Sequence, residues 1–221
     1  MTRSSTQNSG SNVVQLRQSK QPVLEFWFEF ASTYSYLAAM RIETLAKDYE
    51  VSISWRPFLL GPFFKKQGWD TSPFNMHPSK FNYMWRDIER HCERYGLPLT
   101  RPEPFPQNSL LAARIALAGQ SEAWIGDYTR AVYMAEFGED EDISDEALLA
   151  GILMEAGAPA KDILEQAKSD GIKAELRAAV TKAEKLGIFG APSFILENGE
   201  LFWGDDRLED ALDMAIQIGK S

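Results

Sequence analysis

The chain has almost no sulfur or imidazole chemistry of its own. Cys92 is the one cysteine in 221 residues. A single thiol makes neither an internal disulfide nor a dithiol redox pair, which excludes a disulfide-stapled secreted scaffold. Two histidines, His77 and His91, leave too few soft ligands for an ordinary zinc site, so no metal is expected. Positive charge is short: Lys+Arg 23 stand against Asp+Glu 32, a formal net charge of -9. Phosphate backbones need a net basic face, so nucleic acid is excluded as the main partner. No run approaches the roughly 20 apolar residues of a spanning helix, and no membrane partner is expected. Phosphate-cradling glycine motifs, a serine-elbow motif and internal repeats are missing too.

What is present points to a packed core, with 44% hydrophobic and 12% aromatic residues. The length suits one generous domain, or a small domain carrying a large insertion. Residues 1–22 are rich in Ser, Asn and Gln with no apolar run, which reads as a disordered tail and not a secretion signal. The expectation is a soluble, cytoplasmic chain.

Order is expected from Val23. The aromatic run Val23–Phe30 reads as a strand buried on both faces, followed by capping residues at Ala31–Ser35 and helical spacing from Leu37 to Ala46. Val51–Trp55 alternates as a second strand, closed by Pro57, so strand, helix and strand imply a right-handed parallel crossover. From about Pro78 to Leu186 the spacing is helical. Phe81, Met84, Trp85, Ile88, Cys92 and Tyr95 form one stripe, stopped by Gly96. Asn108, Ser121 and Ser144 are expected to open further helices, with others from Pro159 and from about Asp170. Ser193–Leu196 and Leu201–Trp203 flank Asn198-Gly199, a hairpin signal, and a last helix is expected from near Asp206. The acidic run Glu139–Asp142 reads as a solvated loop without calcium-loop spacing.

This order predicts an α/β fold, a thioredoxin-like four-stranded mixed sheet (βαβ…ββα) with a large all-helical insertion. The division is a tail at 1–22, a first half-domain at 23–62, the insertion at 63–186 and a second half-domain at 187–221. Four patterns carry a resemblance: Phe28–Ala38, Arg56–Gly61, Gly190–Phe194 and Trp203–Leu208. Together the chain resembles the 2-hydroxychromene-2-carboxylate isomerase family, within the kappa-class glutathione transferase-like, DsbA-like branch of the thioredoxin fold. The patterns span the chain from about Val23 to Leu212.

Oxidoreductases of this fold place two cysteines at the start of the first helix, where this chain has Ser32 and Ser35. Dithiol chemistry is therefore closed to it. A helix N-terminus with a neighbouring hydroxyl still stabilises an anion. The resemblance implies glutathione as cofactor, its thiol pKa lowered there from a free value near about 8.5. Ser32 would then be the catalytic thiolate-stabilising donor; the plainer reading is a helix N-cap. By the same resemblance, Pro192 is a cis proline and the backbone of Ala191 pairs with the peptide part of a thiol compound. The plainer reading is a proline bounding a strand. Trp203, Gly204, Asp205 and Asp206 would hold the γ-glutamyl end, or either aspartate would cap the last helix. In the isomerase pattern an Asn often stands where this chain has Asp205.

On the substrate side, Lys65 or Lys66 is a candidate for a substrate carboxylate, and Asn75, Phe105 and Asn108 are candidate cleft residues. Against this stand the readings of solubilising lysines and of Asn108 as a cap. The implied activity is a glutathione-dependent isomerisation of an unsaturated carbonyl compound by thiolate addition, bond rotation and elimination. Alternatives are a kappa-like transferase or peroxidase, and a non-catalytic binding protein of the same fold. A small molecule is the expected partner, and dimers are common among similar proteins, making a homodimer one expectation.

Overall fold

The computed structural model describes residues 21–66, 68 and 77–220. Strand β1 (Val23–Phe28) is the spine of the sheet. Alternation along a strand sends neighbouring side chains to opposite faces. Leu24, Phe26 and Phe28 enter one buried cluster, while Trp27 enters a second. Glu25 shares the face of Trp27 and stays part-buried, its carboxylate 3.0 Å from Arg56 and 3.2 Å from Lys182. Double burial therefore holds for the end of the strand and not for its start. The expected run to Phe30 stops at Phe28, because the chain turns there and the Ser32 N–H donates to the Glu29 carbonyl at 3.0 Å.

Helix α1 (Thr33–Asp48) starts at an extended Ser32, whose Oγ accepts the Ser35 N–H at 3.2 Å. It buries Leu37, Ala38, Ala39, Ile42 and Ala46. Strand β2 (Ser52–Pro57) pairs parallel with β1 and runs past Trp55 to Pro57. It lies at the sheet edge, where a proline without an N–H is tolerated. Pro22, assigned from sequence to the tail, already belongs to the fold, since its carbonyl accepts the Ser52 N–H at 2.8 Å. Residues 1–20 lie outside the described residues.

Strands β3 (Ser193–Ile195) and β4 (Leu201–Trp203) complete a mixed sheet of order β2-β1-β3-β4. Both of their pairings are antiparallel, and Phe26 stands between Trp55 and Phe194. The hairpin turns at Gly199, with a φ of 88°, and Asn198 Oδ1 accepts the Glu200 N–H at 3.0 Å.

Between β2 and β3 come α2 (Gly61–Lys66), α3 (Pro78–Tyr95), α4 (Leu110–Ala118) and α5 (Ile125–Tyr133), which continues as a π-helical turn over Met134–Gly138. Then follow α6 (Glu146–Glu155), α7 (Ala160–Lys168) and α8 (Asp170–Lys185). The expected caps at Ser121 and Ser144 are displaced. Helix α5 begins after Trp124 and not at Ser121, because Glu122 and Ile125 first make turn bonds to Gly119 and Glu122. Asp145 caps α6, its Oδ1 accepting the Ala147 N–H at 2.8 Å, while Ser144 Oγ donates to Asp142. The last helix, α9 (Leu208–Gly219), is entered through a 3-10 turn at Asp205–Arg207. Neither aspartate caps it; the flanking residue is Arg207, which makes no side-chain cap bond.

Helices α1 and α9 pack on one face of the sheet, and α8 covers the other with Val180 and Ala183 against Trp27 and Ile195. Inserted helices extend the first cluster: Ile88, Ile115, Tyr133, Leu149 and Ile163 share it with Phe26 and Phe28. Fully burying one such side chain contributes about 1.5–3 kcal/mol. One face of the sheet and the inserted helices thus share a core, while the Trp27 cluster lies on the other face. Among the described residues no helix is long and apolar enough to cross a membrane.

Candidate active site

A cleft of about 1250 Å³ opens where the start of α1 meets the loops before β3 and after β4, roofed by α2, α3 and the start of α4. Ser32, Ala191, Trp203, Gly204, Asp205 and Asp206 all line it, as do Lys65, Phe105 and Asn108. Pro192 does not; it is buried behind the cleft, in a cis peptide bond with Ala191, and its carbonyl accepts the Gly204 N–H at 3.0 Å. Asn75 lies outside the described residues. Lys66 is drawn away, its Nζ 2.6 Å from the Glu184 carboxylate. Asn108 stands one residue before Ser109, the N-cap of α4, so the expected cap is displaced by one; it still accepts the Leu110 N–H at 3.2 Å while lining the cleft.

Two polar clusters organise the cleft. The first surrounds the start of α1. Helix geometry leaves first-turn N–H groups without helical partners, and the dipole adds partial positive charge there. Ser32 Oγ accepts the Ser35 N–H and donates to the Ala191 carbonyl at 3.0 Å. Its only proton is thus engaged with the loop that precedes β3. The Ala191 carbonyl correspondingly carries the serine hydroxyl at the place where a peptide N–H could donate.

Beneath Ser32 lies Glu29, 6% exposed. Its Oε2 accepts the Leu60 N–H at 2.9 Å, and its Oε1 accepts the Ser109 hydroxyl and the Ala31 N–H. Burial pushes this carboxyl above its ordinary range, and the three donors pull it back. One carboxylate therefore ties together the β1–α1 turn, the segment after β2 and the start of α4.

The second cluster lies beside α1 farther along. Asp205 is 2% exposed; its Oδ2 accepts the Tyr95 hydroxyl at 3.2 Å, and its Oδ1 has no hydrogen bond among the described residues. Arg41 stands 3.9 Å from Oδ1, its guanidinium 4.0 Å from the Tyr95 ring centre, and is held by Glu209 at 3.0 Å. Burial raises the Asp205 pKa, against the pull of Arg41, Tyr95 and His91. Asp87 continues the acidic wall, accepting the Tyr34 hydroxyl at 3.0 Å, with His91 Nε2 3.9 Å away. Asp206 is exposed and shares Arg207 at 3.4 Å. A buried carboxylate oxygen without a donor calls for a cationic hydrogen-bond partner.

The mouth of the cleft is aromatic. Trp203 and Phe189, both about half exposed, meet at a tilt of 54° with ring centres 4.9 Å apart. Gly190 lets the Trp203 ring lie close over the backbone, since a Cβ there would stand 2.5 Å from Trp203 Nε1 and displace the ring. Cys92 faces the core, and burial pushes its thiol up to about 11, so the chain's one sulfur nucleophile is silenced.

Sequence reasoning missed Glu29, Arg41, Tyr95, Asp87, His91 and Phe189 as cleft or wall residues, and it placed Ser109 in a cleft-lining stretch without a role. One signal was available: Glu29 interrupts an otherwise aromatic run leading into the helix cap. The others carry none, because their roles depend on α3 and α4 folding back over the sheet.

Three comparisons bear on this geometry. The family described as DSBA-like thioredoxin domain matches residues 23–217. A 2-hydroxychromene-2-carboxylate isomerase of Sphingobium xenophagum is 32% identical over 187 residues, 84% of this chain and 94% of that protein. Glutathione S-transferase kappa 1 of Rattus norvegicus is 25% identical over 200 residues, 85% of this chain and 88% of its own. A solved structure of 2-hydroxychromene-2-carboxylate isomerase superposes with a TM-score of 0.78 at 26% identity, covering 89% of this chain and 95% of its own.

Proposed function

The chain belongs to the DSBA-like thioredoxin domain family, and from that premise we propose that it is a glutathione-dependent isomerase of an unsaturated carbonyl compound. The observation that carries this reading is the pairing, in one cleft, of a serine-capped helix N-terminus with a buried carboxylate oxygen that lacks a donor. The relatives named as isomerases and kappa transferases support it.

Glutathione fits these residues in kind. It offers a sulfur that ionises, a peptide backbone and an ammonium group, and the cleft offers a helix N-terminus, the Ala191 carbonyl and Asp205. When bound, the cofactor would supply a thiolate that adds to the substrate double bond, permits rotation and is then expelled. The chain's own residues perform the rest. The Ser32 hydroxyl turns about its Cβ–Oγ bond, leaves the Ala191 carbonyl and donates to the anionic sulfur; the vacated carbonyl accepts a peptide N–H of the ligand. First-turn N–H groups of α1 add the positive end of the helix dipole. Asp205 Oδ1 takes the ammonium, with Trp203 and Gly204 shaping that wall. Lys65, exposed at the rim, attracts a substrate carboxylate, and Phe105 and Asn108 bound the substrate side. Stabilising the charged sulfur lowers the barrier only so far as the charge is held better at the transition state than before it.

The test is absorbance-monitored isomerisation of a hydroxychromene carboxylate with and without glutathione. Turnover that requires glutathione is expected. Conjugation of an electrophile without isomerisation would favour the transferase reading that the rat relative supports. Absence of glutathione binding at millimolar ligand would overturn the cofactor assignment and leave a non-catalytic binding role.

A further inference from the structure

Two buried carboxyls lie behind the start of α1, and the mechanism above uses neither. Glu136, on the π-helical turn after α5, is fully buried and neither of its oxygens has a hydrogen bond among the described residues. Glu29 is the opposite case. It lines the cleft and accepts from Ser109, Leu60 and Ala31. Ser109 is itself 6% exposed and also lines the cleft. Its hydroxyl thus belongs to the cleft wall and donates to a buried carboxylate oxygen.

A thiol entering this cleft at neutral pH brings a proton with it, since free thiols ionise near about 8.5. Ser32 cannot absorb that proton: it is a hydroxyl, and its own hydrogen is committed to the Ala191 carbonyl. Asp205 and Asp87 belong to the second cluster, accepting the Tyr95 and Tyr34 hydroxyls, and His91 stands there with them, its Nε2 3.9 Å from Asp87 and its Nδ1 without a hydrogen bond among the described residues. Glu136 has no opening to the cleft.

Resting on the glutathione reading, we infer that Glu29, reached through the Ser109 hydroxyl, is the group that takes the thiol proton when the ligand binds. Ser109 Oγ passes its proton to Glu29 Oε1 and receives the one released by sulfur. One S–H bond and one O–H bond break, two O–H bonds form, and no proton enters solvent. The exchange removes a buried negative charge just as a new one appears on sulfur, so the two anions never oppose each other. The groups that face Glu29 are compatible with this. Burial raises its proton affinity, and burial likewise raises those of Glu136 and Tyr133, both of which feel the charge of Glu29. On α1 the Tyr34 hydroxyl donates to Asp87 and the Tyr36 hydroxyl to the Pro98 carbonyl.

The experiment counts protons. Glutathione is titrated into the full chain calorimetrically in two buffers of different ionisation enthalpy near neutral pH, and thiolate is read by ultraviolet absorbance on the same complex. The wild type is expected to form thiolate with almost no proton released. Glu29→Gln and Ser109→Ala are each expected to release one proton for every thiolate formed, or to bind the cofactor as the thiol. Glu136→Gln is expected to match the wild type. One proton released per thiolate in the wild type would overturn the inference and leave the cofactor assignment standing; no binding would overturn the cofactor assignment itself. A purely structural role for Glu29 would alter affinity without changing the ratio of protons to thiolate.

Discussion

The two polar clusters of the cleft are built on opposite principles. Around Ser32 the hydroxyl and the buried carboxylate are both satisfied: the hydroxyl donates to Ala191 and accepts from Ser35, and Glu29 accepts from three donors. Around Asp205 the wall is under-satisfied, with an orphan Oδ1 held 3.9 Å from a guanidinium that Glu209 also claims. The first cluster can exchange partners without leaving a buried group bare, which suits chemistry. The second gains a hydrogen bond only when a cation arrives, which suits binding. Satisfied groups are rearranged during a reaction; unsatisfied ones are completed by a ligand.

That division is broken most severely at Ser32. Ser32→Ala is expected to slow glutathione-dependent isomerisation about a hundredfold at neutral pH, the scale of losing one preorganised donor to a developing charge. The rate should recover as alkaline pH ionises the thiol unaided. A pH–rate profile that matches the wild type would remove Ser32 from the mechanism. At the second cluster, Asp205→Asn should weaken glutathione binding about tenfold, or ~1.4 kcal/mol. A tripeptide analogue without the amino group should bind both proteins alike; a persisting difference in calorimetry would mean that Asp205 acts on something other than the ammonium.

Glu136 sharpens the comparison from behind. Its carboxyl is raised well above the ordinary 4.5, by burial first and then by Glu29. The folded chain keeps a proton that the unfolded chain gives up, so this group's stability is complete below the ordinary range and is lost as pH climbs toward the folded value. In thermal unfolding, Glu136→Gln should abolish that decline, a slope of at most about 1.4 kcal/mol per pH unit. Parallel pH curves for variant and wild type would show that Glu136 is ionised in place. The smallest effect is expected at the rim: Lys65→Ala should raise KM for a carboxylated substrate severalfold, within the ~0.2–1 kcal/mol of an exposed ion pair, and leave glutathione affinity unchanged. Equal KM would remove Lys65 from substrate capture.

How much of this was legible in the sequence depends on the range of the interactions. The aromatic strand, the Ser32 cap and the Asn198-Gly199 hairpin are local patterns, and each stands within a residue or two of its expected place. Ser121 and Ser144 misled because a serine beside a helix competes with turn bonds and with neighbouring aspartates for the same backbone. The members of the first cluster fell unevenly. Ser32 and Ala191 carry motif signals, whereas Ser109 meets Glu29 across 80 residues and leaves no trace in spacing. Asp205 was readable as an acid near a helix start, but its burial against Tyr95, 110 residues away, was not.

The central claim is that this chain seats a borrowed thiolate at the start of α1 and owns no reactive sulfur for the task. A crystal structure of the glutathione complex tests it most directly. The account predicts the sulfur within hydrogen-bond reach of Ser32 Oγ and the ammonium on Asp205 Oδ1. A tripeptide bound with its sulfur away from Ser32 would contradict it.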